Sequence, residues 1–359
     1  MIYSKRGFLA SLLDIINPYA WVTTARNKAF DFGILNSRKF HIPTICVGNI
    51  SVGGTGKTPH TEYIVKLLKE KYRIAVLSRG YGRRTHGYIK ATGRTTMQQI
   101  GDEPFQIKNK FNDICVAVCE KRVTGIEHLL AEENGLQAIL LDDAFQHRYV
   151  KAGLNILLID SNRPVWRDCI LPFGRLRESL AGIKRADVVV MTKCDNVTAE
   201  EREWCREYIG KRKDIPVFFS AMQYGALYPV FPKAAKAEAT VGTGSKVLLL
   251  TGIARPAPLK AEIESRGAEV TLMQYSDHHN FSDKDFNEIA ATFDRIEGEN
   301  KIIITTEKDA TRLLDAPALP QGIKERIFAL PIEVKILDGE EKMFNQIIED
   351  YVAKNSRNS

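Results

Sequence analysis

The stretch ICVGNISVGGTGKTPHTEYIVKLL, residues 45–68, limits the possible folds more than any other part of the chain. An apolar run leads into a glycine-rich loop, then Lys57-Thr58, then apolar residues at helical spacing. That order reads as strand, phosphate-cradling loop and helix. Gly53, Gly54 and Gly56, with Thr55 among them, allow positive φ and bring backbone N–H groups close to phosphate oxygens. A helix beginning at Lys57-Thr58 aims the positive end of its dipole at the same point. Lys57 can reach the β- and γ-phosphates, and the Thr58 hydroxyl suits Mg²⁺. Pro59 fits a first helical turn. The strict G-x-x-x-x-G-K-[ST] pattern would place glycine at Ser51, but three glycines remain at the phosphate-facing end.

Further apolar runs follow at residues 74–77, 114–118, 138–141, 156–159 and 188–191. Each is continuous rather than alternating, as in strands covered on both faces. Helical patterns lie between them, so the expected class is a mostly parallel α/β sheet in an α/β/α sandwich. The segment YPVFPKAAKAEATVGTGSK breaks the pattern and reads as a linker or extended ribbon. A second strand set follows at residues 247–250, 302–305 and 327–330. The predicted organisation is an N-terminal helix (1–30), a phosphate-loop domain (31–225), a ribbon linker (226–245) and a smaller α/β domain (246–359).

Six cysteines without a C-x-x-C pair argue against a disulfide framework or zinc site and for a reducing compartment. The net charge of +7 suits an anionic partner. No run approaches the roughly 18 apolar residues of a membrane span. Residues 8–22 nevertheless concentrate Phe8, Leu9, Leu12, Leu13, Ile15, Ile16, Tyr19, Trp21 and Val22 between basic flanks. Asp14 interrupts any signal-peptide core. The residues allow either a helix lying in a membrane interface or one docked on the core.

A phosphate loop requires a carboxylate at a neighbouring strand end. Asp142 and Asp143, directly after Leu140-Leu141, meet that need, and Asp160 competes. Thr192-Lys193-Cys194-Asp195 looks like the [NT]-K-x-D element by which GTPases read guanine. A GTPase or metallochaperone-type switch is therefore the rival reading, although no D-x-x-G follows the carboxylate strand. Other candidates are Ser78 and Arg79 in LSRGYGRR, Asp102 and Glu103 in IGDEPFQI, and Arg175, Arg177 and Glu178 in LPFGRLRES. Asp102 or Glu103 could instead cap the helix that Pro104 opens. Asp277, His278 and His279 precede a helix capped at Ser282.

Taken together, VGNISVGGTGKTP, LSRGYGR, GDEP, LLDDAFQHR, LPFGRLRE, MTKCD, the Asp-His of DHHNF and TTEKDA resemble the tetraacyldisaccharide 4′-kinase family, the lipid A 4′-kinases. They occur in order from Val47 to Ala310, and that family's phosphate loop also departs from the strict glycine form. The resemblance implies two α/β/α lobes joined by a β-ribbon, with ATP and Mg²⁺ in the cleft. It implies phosphoryl transfer to the 4′-hydroxyl of a tetraacylated diglucosamine 1-phosphate. It further implies a monomeric, peripheral or monotopic enzyme at the cytoplasmic face of the inner membrane, with no nucleic-acid partner, and so favours the interfacial reading of the N-terminal helix.

Carried over by motif, Gly53, Gly54, Thr55, Gly56, Lys57 and Thr58 hold the nucleotide, with Lys57 also catalytic. Thr58, Asp142 and Asp143 hold the metal. Asp102 resembles the catalytic base, assisted by His278, with His279 the alternative. Ser78, Arg79, Glu103, Gln146, His147, Arg177, Glu178 and His279 are the implied substrate or phosphate contacts.

Overall fold

The computed structural model describes residues 13–234, 240–253, 256–276, 279, 281–314 and 319–356. Its strands run β1 (Thr44–Gly48), β2 (Ile74–Ser78), β3 (Ile89–Lys90), β4 (Cys115–Val118), β5 (Ala138–Asp142), β6 (Leu154–Asp160), β7 (Val188–Thr192), β8 (Val217–Tyr224), β9 (Tyr228–Pro229), β10 (Lys246–Thr251), β11 (Glu269–Gln274), β12 (Lys301–Thr306), β13 (Ile327–Leu330) and β14 (Ile332–Ile336). Among the described residues they form a nine-stranded sheet, ordered β14-β8-β7-β6-β1-β5-β2-β4-β3, and a five-stranded sheet, ordered β11-β10-β12-β13-β9.

The continuous apolar runs explain the large sheet. Every residue of β1, β2, β5 and β7 is buried. One apolar cluster covers each face, with Cys46, Leu77 and Leu141 on one side and Val47, Val76 and Leu140 on the other. β1 lies centrally between β6 and β5, parallel to both. In such sheets ligands gather outside the carboxyl ends of the strands, and that is where the loop after β1 emerges.

The predicted boundaries need two corrections. Residues 246–359 do not all belong to the smaller lobe. After Pro331 the chain returns, and β14 pairs antiparallel with β8 at the edge of the large sheet. The helix Glu341–Ser356 then buries Phe344, Ile348 and Val352 against Ile64, Leu68 and Phe218. The IEVKI pattern of β14 alternates as an edge strand does, and its buried Val334 and Ile336 join the core of the first lobe. Nor is 226–245 wholly a linker, because β9 pairs antiparallel with β13 in the small sheet.

At the N-terminus, the helix Pro18–Asp31 is capped by the Asn17 carboxamide. One face docks on the large lobe. Phe30 meets Tyr149 edge-on, Arg148 pairs with Asp31, and Asn27 donates to Glu178 at 2.8 Å. Ile15, Ile16, Trp21 and Val22 face solvent, with Trp21 59% and Val22 67% exposed. Docking and exposed apolar side chains thus meet in residues 15–31, Trp21 and Val22 on the docked helix and Ile15 and Ile16 just before its cap. Residues 1–12 lie outside the described part. No helix among the described residues is long and apolar enough to cross a membrane.

Ion pairs among the described residues link the lobes. Lys110 reaches both Glu62 and Glu307 at 2.6 Å, and Arg312 reaches Asp102 at 2.5 Å.

Candidate active site

Beyond β1 the chain stays extended for a few residues. Ser51 forms an antiparallel bridge with Leu176, Val52 N–H donates to Arg175 C=O at 2.7 Å, and Arg177 N–H donates to Ile50 C=O at 2.8 Å. Extended backbone suits any residue, so serine serves at position 51. The turn comes later, at Gly53 (φ +109°) and Gly56 (φ +84°). The left-handed φ at Gly56 favours glycine there, and a Cβ would also press on the flexible end of Met222. Gly56 is the N-cap of the helix Lys57–Lys69, which places Lys57 and Thr58 in its first turn.

The carboxylates arrive by strand register. Val47 of β1 is level with Asp142 of β5, which sets Asp142 beside the start of the loop. Asp142 is buried and accepts from Thr61 at 3.1 Å and Ser78 at 3.3 Å. Asp143 adopts a left-handed φ of +45°. It lies 3.7 Å from Lys57 Nζ and accepts two hydrogen bonds from Arg177 Nη1, at 3.0 and 3.2 Å.

Glu103 completes an acidic group. Burial, then the Asp142 carboxylate, push it up to about 7, while Lys57 pulls it down. Burial and Asp143 likewise raise Asp142. Arg122, fully buried, donates to the Asp142 carbonyl at 3.2 Å and partly offsets this charge. Carboxylates whose neighbouring negative charges raise their proton affinity form a donor set suited to a cation. No group of three or more His, Cys, Asp or Glu side chains among the described residues could hold a metal by itself. Any ion here would therefore also draw on the Thr58 hydroxyl and phosphate oxygens.

Asp102 and Glu103 open the helix Asp102–Lys110, whose N-cap is Gly101. Asp102 is thus the first helical residue rather than its cap, and its carboxylate turns to Arg312 of the smaller lobe. Arg312 in turn holds Asp309 at 3.1 Å, and Asp309 also accepts from Gly252 N–H and from the Thr306 hydroxyl. The electrostatic neighbours of Glu103 include Lys57, Asp143 and Lys308. The start of this helix therefore lies between the phosphate loop and the second lobe.

Other expected contacts fall elsewhere. Glu178 is buried and shared by Asn27, Gln146 and Arg185, so it holds loops together rather than facing a ligand. Gln146 bridges Arg177, Glu178 and the Asn49 carbonyl. His147 Nε2 accepts from Arg122 N–H, and burial and then the Arg122 charge lower it to about 4, which leaves a neutral structural ring. Arg79 is exposed, with Arg122 and His147 among its electrostatic neighbours. His279 stacks on Tyr275 and pairs with Asp285 at 3.0 Å beside the Ser282 cap, a structural arrangement. Asp277 and His278 lie outside the described residues. Asp160, the competing metal candidate, instead pairs with Lys193 at 2.5 Å.

Sequence reasoning passed over Asn49, Thr61, Arg122 and Arg312. Asn49 is fully buried and donates to the Thr55 hydroxyl at 2.7 Å. A polar residue directly after a buried strand was the available signal for Asn49. The other three occupy ordinary helical positions, and only the fold aims them.

A glycine loop at the carboxyl end of a central parallel strand, with carboxylates on the adjacent strand and a second lobe alongside, defines a P-loop phosphotransferase. The profile of the family described as tetraacyldisaccharide-1-P 4′-kinase matches residues 9–353, and the chain belongs to this family. It is 48% identical over 359 aligned residues to the tetraacyldisaccharide 4′-kinase of Bacteroides thetaiotaomicron, covering 95% of this chain and 94% of that protein. The Phocaeicola vulgatus tetraacyldisaccharide 4′-kinase is 43% identical, covering 98% and 99%. A crystal structure of LpxK from Aquifex aeolicus, described as an "apo" form in complex with ATP, superposes with a TM-score of 0.74 at 28% identity, covering 96% of this chain and 100% of that one. These relatives favour the kinase over the GTPase-type switch.

Proposed function

We propose that this chain transfers the γ-phosphoryl group of ATP to the 4′-hydroxyl of a tetraacylated diglucosamine 1-phosphate, a step of lipid A biosynthesis. One observation carries the assignment of the site. The helix beginning at Asp102 has Glu103 within the electrostatic reach of Lys57, Asp142 and Asp143, and Asp102 itself in contact with the second lobe.

In this reading Gly53–Lys57 cradle the phosphates, and Lys57 neutralises charge as the phosphoryl group departs. Thr58, Asp142 and Asp143 hold Mg²⁺, and Arg177 orients Asp143. The ion, when bound, supplies charge neutralisation across the transferring phosphate. Asp102 takes the proton of the acceptor hydroxyl, with His278 as its partner from the second lobe. Ser78 fixes the rotamer of Asp142.

Purified protein given γ-labelled ATP, Mg²⁺ and acyl-disaccharide 1-phosphate in detergent should yield the bisphosphorylated lipid. Lipid-independent GTP hydrolysis without transfer would refute the proposal.

The exposed Trp21 and Val22, with exposed Lys28 on the same helix and Ile15 and Ile16 just before its cap, suit a bilayer interface bearing anionic headgroups. We place this surface against the cytoplasmic face of the inner membrane, where the acceptor lipid is presented. The double variant Trp21→Glu/Val22→Glu should cosediment with anionic vesicles several-fold less than the parent while binding ATP equally well. Unchanged cosedimentation would assign the helix to docking alone.

A further inference from the structure

The Thr192-Lys193-Cys194-Asp195 element has no role in the site described above. Strand register brings its first half to the phosphate loop. Gly48 at the end of β1 is level with Leu157 of β6, so β6 runs on to Asp160, and Asp160 is level with Thr192 of β7. Both strand ends therefore stand beyond β1, beside the glycine turn.

Three successive carbonyls of that turn are each taken by a side chain. Lys193 Nζ donates to Gly54 C=O at 2.5 Å, and the Thr192 hydroxyl donates to Thr55 C=O at 3.0 Å. His60 Nδ1 lies 2.7 Å from Gly56 C=O, and burial lowers its ring to about 4. The His60 Nε2 atom is 3.0 Å from the Ser220 hydroxyl. Thr192 and Thr55 are buried, so water does not compete for their bond.

Lys193 holds its place at a conformational cost. Its φ is +58°, uncommon for a side chain of this kind. Ser161 secures it, with its hydroxyl donating to Lys193 C=O at 2.7 Å and its N–H to Thr192 C=O at 3.0 Å. Asp160 pairs with the same ammonium group. Strained backbone persists where the surroundings over-determine it, and such positions cluster at functional sites.

In a trans peptide unit, C=O and N–H point in opposite directions. Fixing the Thr55 and Gly56 carbonyls on one side therefore turns the Gly56 and Lys57 amides to the other. The Thr55 amide shares its peptide unit with the Gly54 carbonyl and donates to Gly53 C=O at 3.0 Å, so Lys193 clamps the closure of the turn from which the Gly56 and Lys57 amides project. We propose that Thr192, Lys193 and Asp160 form a brace that sets the phosphate cradle by anchoring its carbonyls, and that Lys193 is a positioning residue for the triphosphate. The element thus serves the phosphates and not the nucleobase. This inference rests on the phosphate-loop reading above.

Inorganic tripolyphosphate separates the two roles, because it has phosphates and no base. In the full-length enzyme, Lys193→Met should raise KM for ATP about tenfold, the scale of a lost charge-assisted hydrogen bond. The values of kcat and KM for lipid should stay within about twofold. Calorimetric Kd for tripolyphosphate, measured without lipid, should rise by the same factor as KM for ATP. Lys193→Arg should recover most of the loss, and Thr192→Val should show the same pattern at smaller amplitude. Unchanged tripolyphosphate affinity with an altered preference between ATP and GTP would overturn the brace in favour of base reading. Parallel losses in kcat, both KM values and melting temperature would overturn it in favour of general structural support. If Lys193→Met does not fold, Thr192→Val and Asp160→Asn carry the same comparison. Failure of the unmodified enzyme to bind tripolyphosphate would instead sink the phosphate-loop reading itself.

Discussion

Asp102→Asn lowers kcat for phosphoryl transfer by about 10²–10⁴-fold, with ATP affinity nearly unchanged. The amide retains an oxygen that can accept from Arg312, so the lobe contact at 2.5 Å has a substitute. What is lost is basicity. Arg312→Met supplies the contrast, because it removes the contact and leaves the carboxylate. If Asp102 is the base, Asp102→Asn is far more damaging to kcat than Arg312→Met. If Asp102 only latches the lobes, Asp102→Asn retains near-normal kcat and Arg312→Met does the harm. Steady-state kinetics at saturating ATP, with melting temperatures to confirm folding, decide between them.

Lys57→Met reduces kcat/KM for ATP by roughly 10³-fold, since a fixed positive charge at the transferring phosphate contributes mainly in the transition state. The structure adds a second reason. Lys57 is 3.7 Å from Asp143 and lowers the proton affinity of both Glu103 and Asp142. Without it the carboxylates hold their protons more tightly and make a poorer cation site near neutral pH. The loss should therefore be steeper at pH 6 than at pH 8 and partly offset by raised Mg²⁺. A loss of less than tenfold, independent of pH and Mg²⁺, would remove Lys57 from the chemistry.

Much of the large sheet was legible because buried parallel strands read as continuous apolar runs, as in β1, β2, β5, β6 and β7. The phosphate loop was legible because its glycines, lysine and threonine are contiguous. The end of the chain was harder to read. β14 carries Glu333 and Lys335 between its apolar residues, and nothing local states that it returns to the first sheet. The family motif LPFGRLRE implied Glu178 as a substrate contact. Only the packing of the helix Pro18–Asp31 shows that Asn27 already occupies it.

The sequence by itself determined the phosphate cradle, its strand-loop-helix setting and the kinase family. Each is written in residues close together in the chain, where backbone propensity and side-chain chemistry act locally. Tertiary structure decided which acids crowd around Lys57, that Asp102 turns to Arg312, and that Lys193 grips the Gly54 carbonyl. Those contacts join residues as far as 210 positions apart. They exist only once strand register and lobe packing place distant chain segments within a few ångströms.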